Sequence, residues 1–211
     1  MRTIAYVDGF NLYYGSLKGS PHRWLDLCAY FDRTLARLSP PHHLIQVKYF
    51  TARVAPVPNH PNAALKQQVY LRALSAHCGN RLEIIEGNFN VKKARAPLAE
   101  PPHKTVEILK TEEKGSDVNL AVELVNDAWR GAFDCALVVS NDADVERAMR
   151  IVKHQLRRRV MLYTPGAPRR QPLNVLKRWA HKQMDVDPAD LAASQLPHQV
   201  QPGGIDKPGN W

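Results

Sequence analysis

The sequence predicts an α/β chain: a three-layer sandwich in which helices cover both faces of a mainly parallel sheet. Three observations carry that prediction. Apolar runs of four to eight residues alternate with stretches of helical spacing, the pattern of strands joined by crossover helices. The run Cys135-Ala136-Leu137-Val138-Val139 is apolar at every position, as a strand buried on both sides requires. The 211 residues, 44% of them hydrophobic, are enough to enclose a sizeable core.

In chain order, residues 3–7 read as the first strand and residues 10–18 as a helix, with Asp8 and Gly9 between them. A helix over 27–38, a strand over 44–52, a helix over 61–77 and a strand over 82–88 follow. Residues 93–104, KARAPLAEPPHK, carry three prolines among several bases and predict a mobile loop. A short strand over 106–109 comes next. Residues 116–130 predict a helix whose apolar face is Val118, Ala121, Val122, Val125, Ala128 and Trp129. After the strand over 135–140, a helix over 142–156 turns Val145, Ala148, Met149, Val152 and Leu156 inward, and residues 160–163 form the last clear strand. The expected division is a main domain over 1–165, a C-terminal helical extension over 166–196 that packs on or completes it, and a Pro/Gly-rich tail over 197–211. Val175, Leu176, Trp179 and Ala180 supply the helical repeat in the extension, and the tail is expected to be pinned only locally.

Charge points to a partner. The chain holds 29 Lys and Arg against 20 Asp and Glu, a formal net charge of +9, which favours a polyanion. The excess gathers in Lys92-Lys93-Ala94-Arg95, Arg157-Arg158-Arg159, Arg169-Arg170 and Lys177-Arg178 with His181-Lys182. No basic amphipathic helix with a Trp and Leu face supports a lipid surface instead. Cys28, Cys78 and Cys135 fit neither a CxxC metal site nor an even disulfide framework, so they read as reduced thiols. With no apolar run long enough to span a bilayer, and with Asp8 interrupting the N-terminal run, a cytoplasmic protein is expected.

Four acids stand out against this basic background. Open parallel sheets bind ligands beyond the carboxyl ends of their strands. Asp8 follows the first strand, Asp142 and Asp144 follow the fifth, and Asp117 opens the helix that leads into the fifth. Singly, each has an ordinary reading. Asp and Asn are turn and cap residues, an acid in a first helical turn is favoured by roughly 0.3–1 kcal/mol, and Asn141 reads as a helix cap. Together, carboxylates crowded at one edge raise one another's pKa unless a cation lies among them. Hard divalent ions such as Mg²⁺ or Mn²⁺ take such oxygen donors and coordinate phosphate oxygens too. Gly9 lets the chain leave the strand and brings backbone near a bound phosphate.

Three blocks carry a family resemblance. They are Asp8-Gly9-x-Asn11 after the first strand, Glu113-Lys114-Gly115-x-Asp117-Val118-x-Leu120-Ala121 opening a helix, and Ser140-Asn141-Asp142-x-Asp144 after a later strand. In order and spacing they resemble the NYN domain, a ribonuclease-like group within the larger PIN-domain class. The resemblance covers roughly residues 1–165 and implies a PIN-like sheet and metal-dependent endoribonuclease activity. It implies that Asp8, Asp117, Asp142 and Asp144 are metal ligands and that Asn11 is a polar partner of the first acid, where it caps the helix, touches a metal-bound water, or both. Where the family motif often reads Ser-Gly-Asp-Gly-Asp-Phe, this chain has Asn141, Ala143 and Val145. A further family acid is matched by Glu123, six residues past Asp117 and about 120° away round a helix, which places it outside the metal shell.

The expected reaction is in-line attack of a metal-activated water on an RNA phosphodiester, with one or two Mg²⁺ or Mn²⁺ ions held by these acids. Lys114, Lys92, Lys93, Arg95, Arg157, Arg158, Arg169 and Arg170 are the candidate backbone contacts to single-stranded or structured RNA. Rival readings fit less well. Phe10 occupies the position where a haloacid-dehalogenase-type phosphatase needs a second Asp, Asp8 stands where a Toprim site begins with Glu, and no GxxxxGK[ST] is present. The serious alternative is a catalytically silent RNA-binding or adaptor protein on the same fold. A homo-oligomer or a protein partner would use the C-terminal extension.

Overall fold

The first strand, β1 (Arg2–Asp8), is buried from Thr3 onward, and the rest of the sheet is laid beside it. In the computed structural model, which describes residues 1–58, 60–166 and 171–209, β1 pairs in parallel with β2 (His43–Ala52) on one side and with β5 (Cys135–Val139) on the other. Beyond β2 lie β3 (Leu82–Pro97) and β4 (Thr105–Lys114); beyond β5 lie β6 (Arg159–Tyr163) and β7 (Lys182–Met184). The order is β4-β3-β2-β1-β5-β6-β7, and β4 is antiparallel to β3 while every other pairing in this sheet is parallel.

Alternate residues of β1 face different cores. Ala5 and Val7 pack with Leu27, Phe31 and Leu35 of α2 (Leu27–Ala36), preceded in the chain by α1 (Gly9–Leu12), and with Tyr70 and Leu74 of α3 (Ala63–Cys78). Ile4 and Tyr6 pack with Leu120 and Leu124 of α4 (Ser116–Trp129), and with Met149 of α5 (Glu146–Arg150) and Val152 just beyond it. A strand buried between two helical layers is the predicted three-layer α/β architecture, and the continuous apolar runs of β1 and β5 are its cause.

Four local expectations are corrected. Residues 93–97 are not loop but the outer half of β3: residues 88–97 pair with 105–114 as a two-stranded antiparallel arm, and only 98–104 turn. Both faces of the arm are largely in solvent, so it has no one-sided apolar period to reveal it, and its prolines sit at the strand end and in the turn. The apolar face assigned to α4 is also rotated. Val118, Val122 and Trp129 are exposed, whereas Leu120, Leu124, Asp127 and Ala128 are buried. A polar requirement sets this rotation: buried Lys48 on β2 pairs with Glu123 at 2.7 Å and Asp127 at 2.7 Å, and the Tyr6 hydroxyl donates to Asp127 at 2.7 Å. The third correction concerns residues 142–156, which are a 3-10 turn at Ala143–Val145, α5, and a π-helical turn at Ile151–Gln155. Finally, Asp142 rather than Asn141 caps that segment, accepting from the Asp144 amide at 3.0 Å.

After β6 the chain forms α6 (Asn174–Lys177), contributes β7 to the sheet, and forms α7 (Pro188–Ala193). The following segment returns along α2 and α3. The Trp24 indole donates to the Pro197 carbonyl at 2.9 Å, and Val200 of β8 (Gln199–Val200), paired with β9 (Ile205–Asp206), is fully buried. Arg169, Arg170 and Trp211 lie outside the described residues. No described helix is long and apolar enough to cross a membrane.

Candidate metal centre

Strand order reverses between β1 and β5, because the chain builds outward from β1 first through β2 and later through β5. At such a point the carboxyl ends of the two strands open a crevice. Asp8 ends β1 and Ser140 follows β5, so the sequence motifs at both strands meet there.

Asp8 is 2% exposed, and its carboxylate is held from three directions. Oδ1 accepts from the Asn11 backbone N–H at 2.9 Å, and Oδ2 accepts from Asn11 Nδ2 at 2.6 Å and from the Ser140 hydroxyl at 3.0 Å. Asp8, not Asn11, is therefore the cap of α1. Asn11 bridges instead: its Oδ1 accepts from the Asn141 backbone N–H at 3.3 Å, tying α1 to the end of β5. Ser140 Oγ also accepts from the Asp142 N–H at 3.1 Å, so one hydroxyl links Asp8 to Asp142. Asn141 secures the other side of the crevice, donating to the Gln171 carbonyl at 3.2 Å and accepting from the Leu173 N–H at 2.9 Å. Sequence reasoning gives Ser140 no role and reads Asn141 only as a cap, so the bracing by both goes unforeseen; a small hydroxyl residue at a buried strand end is the available signal.

Asp117 reaches the same edge by way of the arm. β4 returns to the sheet edge, and Glu113 accepts from the Ser116 N–H at 3.0 Å and its hydroxyl at 2.6 Å, fixing the start of α4. The close fit depends on Gly87, where a Cβ would lie 2.6 Å from the Lys114 carbonyl oxygen and 2.9 Å from the Ser116 nitrogen. Packing equally requires Gly9, since a Cβ there would lie 2.7 Å from the Tyr49 ring and 2.8 Å from the Phe50 carbonyl oxygen.

Electrostatics register the convergence. Burial, followed by the charges of Asp8, Asp142, Glu113 and Asp144, pushes the Asp117 carboxyl up to about 7. Burial likewise raises Asp8, against the hydrogen bonds from Asn11 and Ser140, and the Asp142 charge adds to the rise. Asp144 is exposed at the rim. Among the described residues, the group of three with donor atoms all within 4.8 Å of one another is Asp26, Cys28 and Cys78; the four acids are spaced more widely. Oxygens bound to one Mg²⁺ at about 2.1 Å stand no more than about 4.2 Å apart, so a single ion would be touched directly by at most two of the four acids as they stand and would reach the others through its waters. Glu123 stands apart on Lys48, as its angular position on the helix predicted.

The candidate RNA contacts divide. Lys92, Lys93 and Arg95 lie on the arm, which continues β3 past the carboxyl edge; Lys92 pairs with Glu112 at 2.8 Å and Lys93 with Glu107 at 2.9 Å. Exposed Lys114 stands at the foot of the arm, three residues from Asp117. Arg157 and Arg158 are elsewhere. With Lys153, His154, Arg159 and His181 they line a cavity of about 240 Å³ where β6 begins, at the amino edge of the sheet.

Comparison with known proteins follows the same lines. The family model described as the NYN domain matches residues 2–187. The 6-hydroxy-3-succinoylpyridine 3-monooxygenase HspA of Pseudomonas putida strain S16 is 32% identical over 236 aligned positions, covering 100% of this chain and 75% of that protein. A crystal structure of a protein of unknown function from Vibrio parahaemolyticus RIMD 2210633 aligns with a TM-score of 0.49 and 18% identity, covering 89% of this chain and 93% of the other.

Proposed function

The chain belongs to the NYN domain family, a nuclease-like fold, and from that premise we propose that it is a metal-dependent endoribonuclease. The observation that supports this reading is the meeting of Asp8, Asp117, Asp142 and Asp144 at the point where strand order reverses, with the Asp117 carboxyl raised by burial and by the other acids. These four would hold Mg²⁺ or Mn²⁺. When bound, the ion supplies an activated water and neutralises charge developing on the scissile phosphate.

The chain's own residues do the rest. Asn11 and Ser140 hold Asp8 in one orientation, so no rearrangement of the donor is needed when phosphate arrives. Lys114 would meet a phosphate oxygen as a point charge, and Lys92, Lys93 and Arg95, on the arm, would extend a basic track. Such contacts hold the backbone without reading bases, which gives affinity that is salt-sensitive and sequence-tolerant. A carboxylate that retains its proton near neutrality is a poor cation donor, so activity rises with pH as Asp117 ionises.

One observation favours a second reading: the relative with 32% identity is named a monooxygenase acting on 6-hydroxy-3-succinoylpyridine. In that reading the same crevice accepts a hydroxypyridine, and molecular oxygen with an external reductant supplies the inserted oxygen atom and the electrons. One experiment separates the readings. Purified protein is incubated with labelled RNA, with and without Mg²⁺ or Mn²⁺, and in parallel with 6-hydroxy-3-succinoylpyridine, air and a reductant. Metal-dependent RNA cleavage that Asp117→Asn abolishes supports the nuclease. Pyridine hydroxylation without RNA cleavage supports the second reading, and RNA binding without either reaction supports the silent adaptor.

A further inference from the structure

Where α2 begins and α3 ends, two helices distant in sequence bring together an unusual set of side chains. Asp26 caps α2, its Oδ1 accepting from the Ala29 N–H at 3.0 Å, and Cys28 lies in the first turn. Cys78 is the last residue of α3 and His77 the one before it. The donor atoms of Asp26, Cys28 and Cys78 all lie within 4.8 Å of one another. Besides capping α2, the Asp26 carboxylate, 6% exposed, accepts from the Cys78 thiol at 3.6 Å, so that an acid and two thiols share one place.

We propose that Asp26, Cys28 and Cys78 form a second metal site, separate from the acidic crevice, which takes Zn²⁺. The distance between Cys78 and Asp26 fits that ion. Ligands at about 2.0 Å for oxygen and 2.3 Å for sulfur, at a tetrahedral angle, stand about 3.5 Å apart. Cys78 Sγ is 3.6 Å from Asp26 Oδ1. The second carboxylate oxygen is held by His77 Nε2 at 3.0 Å, the kind of outer contact that orients a ligand. Two thiolates with one carboxylate select a borderline-soft cation over Mg²⁺. Cys28 is buried and Cys78 half-buried, and a water would complete a tetrahedral set as the fourth ligand. Hydrogen bonding to Cys28 and burial hold the Cys78 thiol above its ordinary range, so binding releases both thiol protons to solvent as the two sulfur–metal bonds form. Once filled, the site ties α2 to α3 across the helical layer that covers one face of the sheet.

The test uses the full chain, reduced, stripped with a chelator and titrated with Co²⁺ as a spectroscopic probe. A thiolate-to-cobalt charge-transfer band should rise to one ion per chain and be displaced by Zn²⁺. Cys78→Ser should abolish it, His77→Gln should weaken binding roughly 10–100-fold, and Asp117→Asn should leave it unchanged. In the unmutated chain, Zn²⁺ should slow alkylation of Cys78, a readout that does not depend on any variant folding. Absence of the band, its persistence in Cys78→Ser, alkylation indifferent to Zn²⁺, or a Cys28–Cys78 disulfide that resists mild reduction would each overturn the proposal.

Discussion

The two edges of the main sheet are built on opposite plans. At the carboxyl edge, short acids are fixed in place: Asp8 is caught by Asn11 and Ser140, and Asp142 by the helical turn that it caps. At the amino edge, Lys153, Arg157, Arg158 and Arg159 gather on long side chains round an open cavity, and the buried Arg158 Nε has no hydrogen-bond partner. Short, braced carboxylates suit an ion that must be placed to within a fraction of an ångström, whereas long, mobile cations suit phosphate spread along a strand. Net charge alone does not separate these two groups; the fold places them at opposite edges of the sheet.

The largest way to disturb this arrangement is through Lys48, which sits beneath α4 and sets its rotation. Lys48→Met leaves Glu123 and Asp127 without their cation and should cost about 3–5 kcal/mol in urea unfolding. It should also displace Asp117 and weaken metal binding at the crevice. A more selective break is Asp117→Asn, expected to lower metal-dependent RNA cleavage by ~100-fold or more, since residues that merely orient ligands are worth ~10–100-fold. Folding should survive this change.

Next in size is a pH effect. The folded Asp117 carboxyl stands near 7, above its ordinary value of 3.8, so the folded chain binds the extra proton and stability falls as pH rises between those values. In chelator, the loss should be on the order of 1–3 kcal/mol after allowance for solvent screening. It should be complete above neutrality, be relieved by Mg²⁺ or Mn²⁺, and be reduced in Asp117→Asn; thermal melts across pH measure it. Ser140→Ala removes the hydroxyl shared by Asp8 and Asp142 and should weaken Mn²⁺ binding ~10-fold by calorimetry. The smallest effect belongs to the opposite edge. Replacing Arg157 and Arg158 together with Ala should weaken RNA binding evenly across sequences and flatten its salt dependence by roughly one phosphate contact per residue, with the rate at saturation unchanged.

The strands of the central sheet are legible in the sequence because parallel strands between two helical layers are apolar throughout, as β1 and β5 are. The order of the four acids is legible for a related reason: each stands at the end of such a strand or at the start of a helix. The arm is not legible, because exposure on both faces erases the alternation that marks a strand, and its prolines mimic a loop. Nor is the inward face of α4, where a buried ion network overrides the apolar pattern and leaves Trp129 77% exposed. β7 spans only three residues, Lys182–Met184, too few to show a period. Bracing by Ser140 and Asn141 depends on hydrogen bonds between segments far apart in the chain. For the same reason, linear order could not show that Arg157 lies at the edge opposite to Asp8.

The central claim is that the acids of the carboxyl edge act with a divalent ion to cleave RNA. Its most direct test is the cleavage rate of a labelled single-stranded RNA across Mn²⁺ concentrations, measured about one pH unit above and below 7. No cleavage is expected in chelator, with saturation by Mn²⁺ and a higher half-saturating concentration on the acid side, where protons compete for Asp117. Cleavage that persists in chelator or in Asp117→Asn, or a Mn²⁺ requirement indifferent to pH, would contradict it.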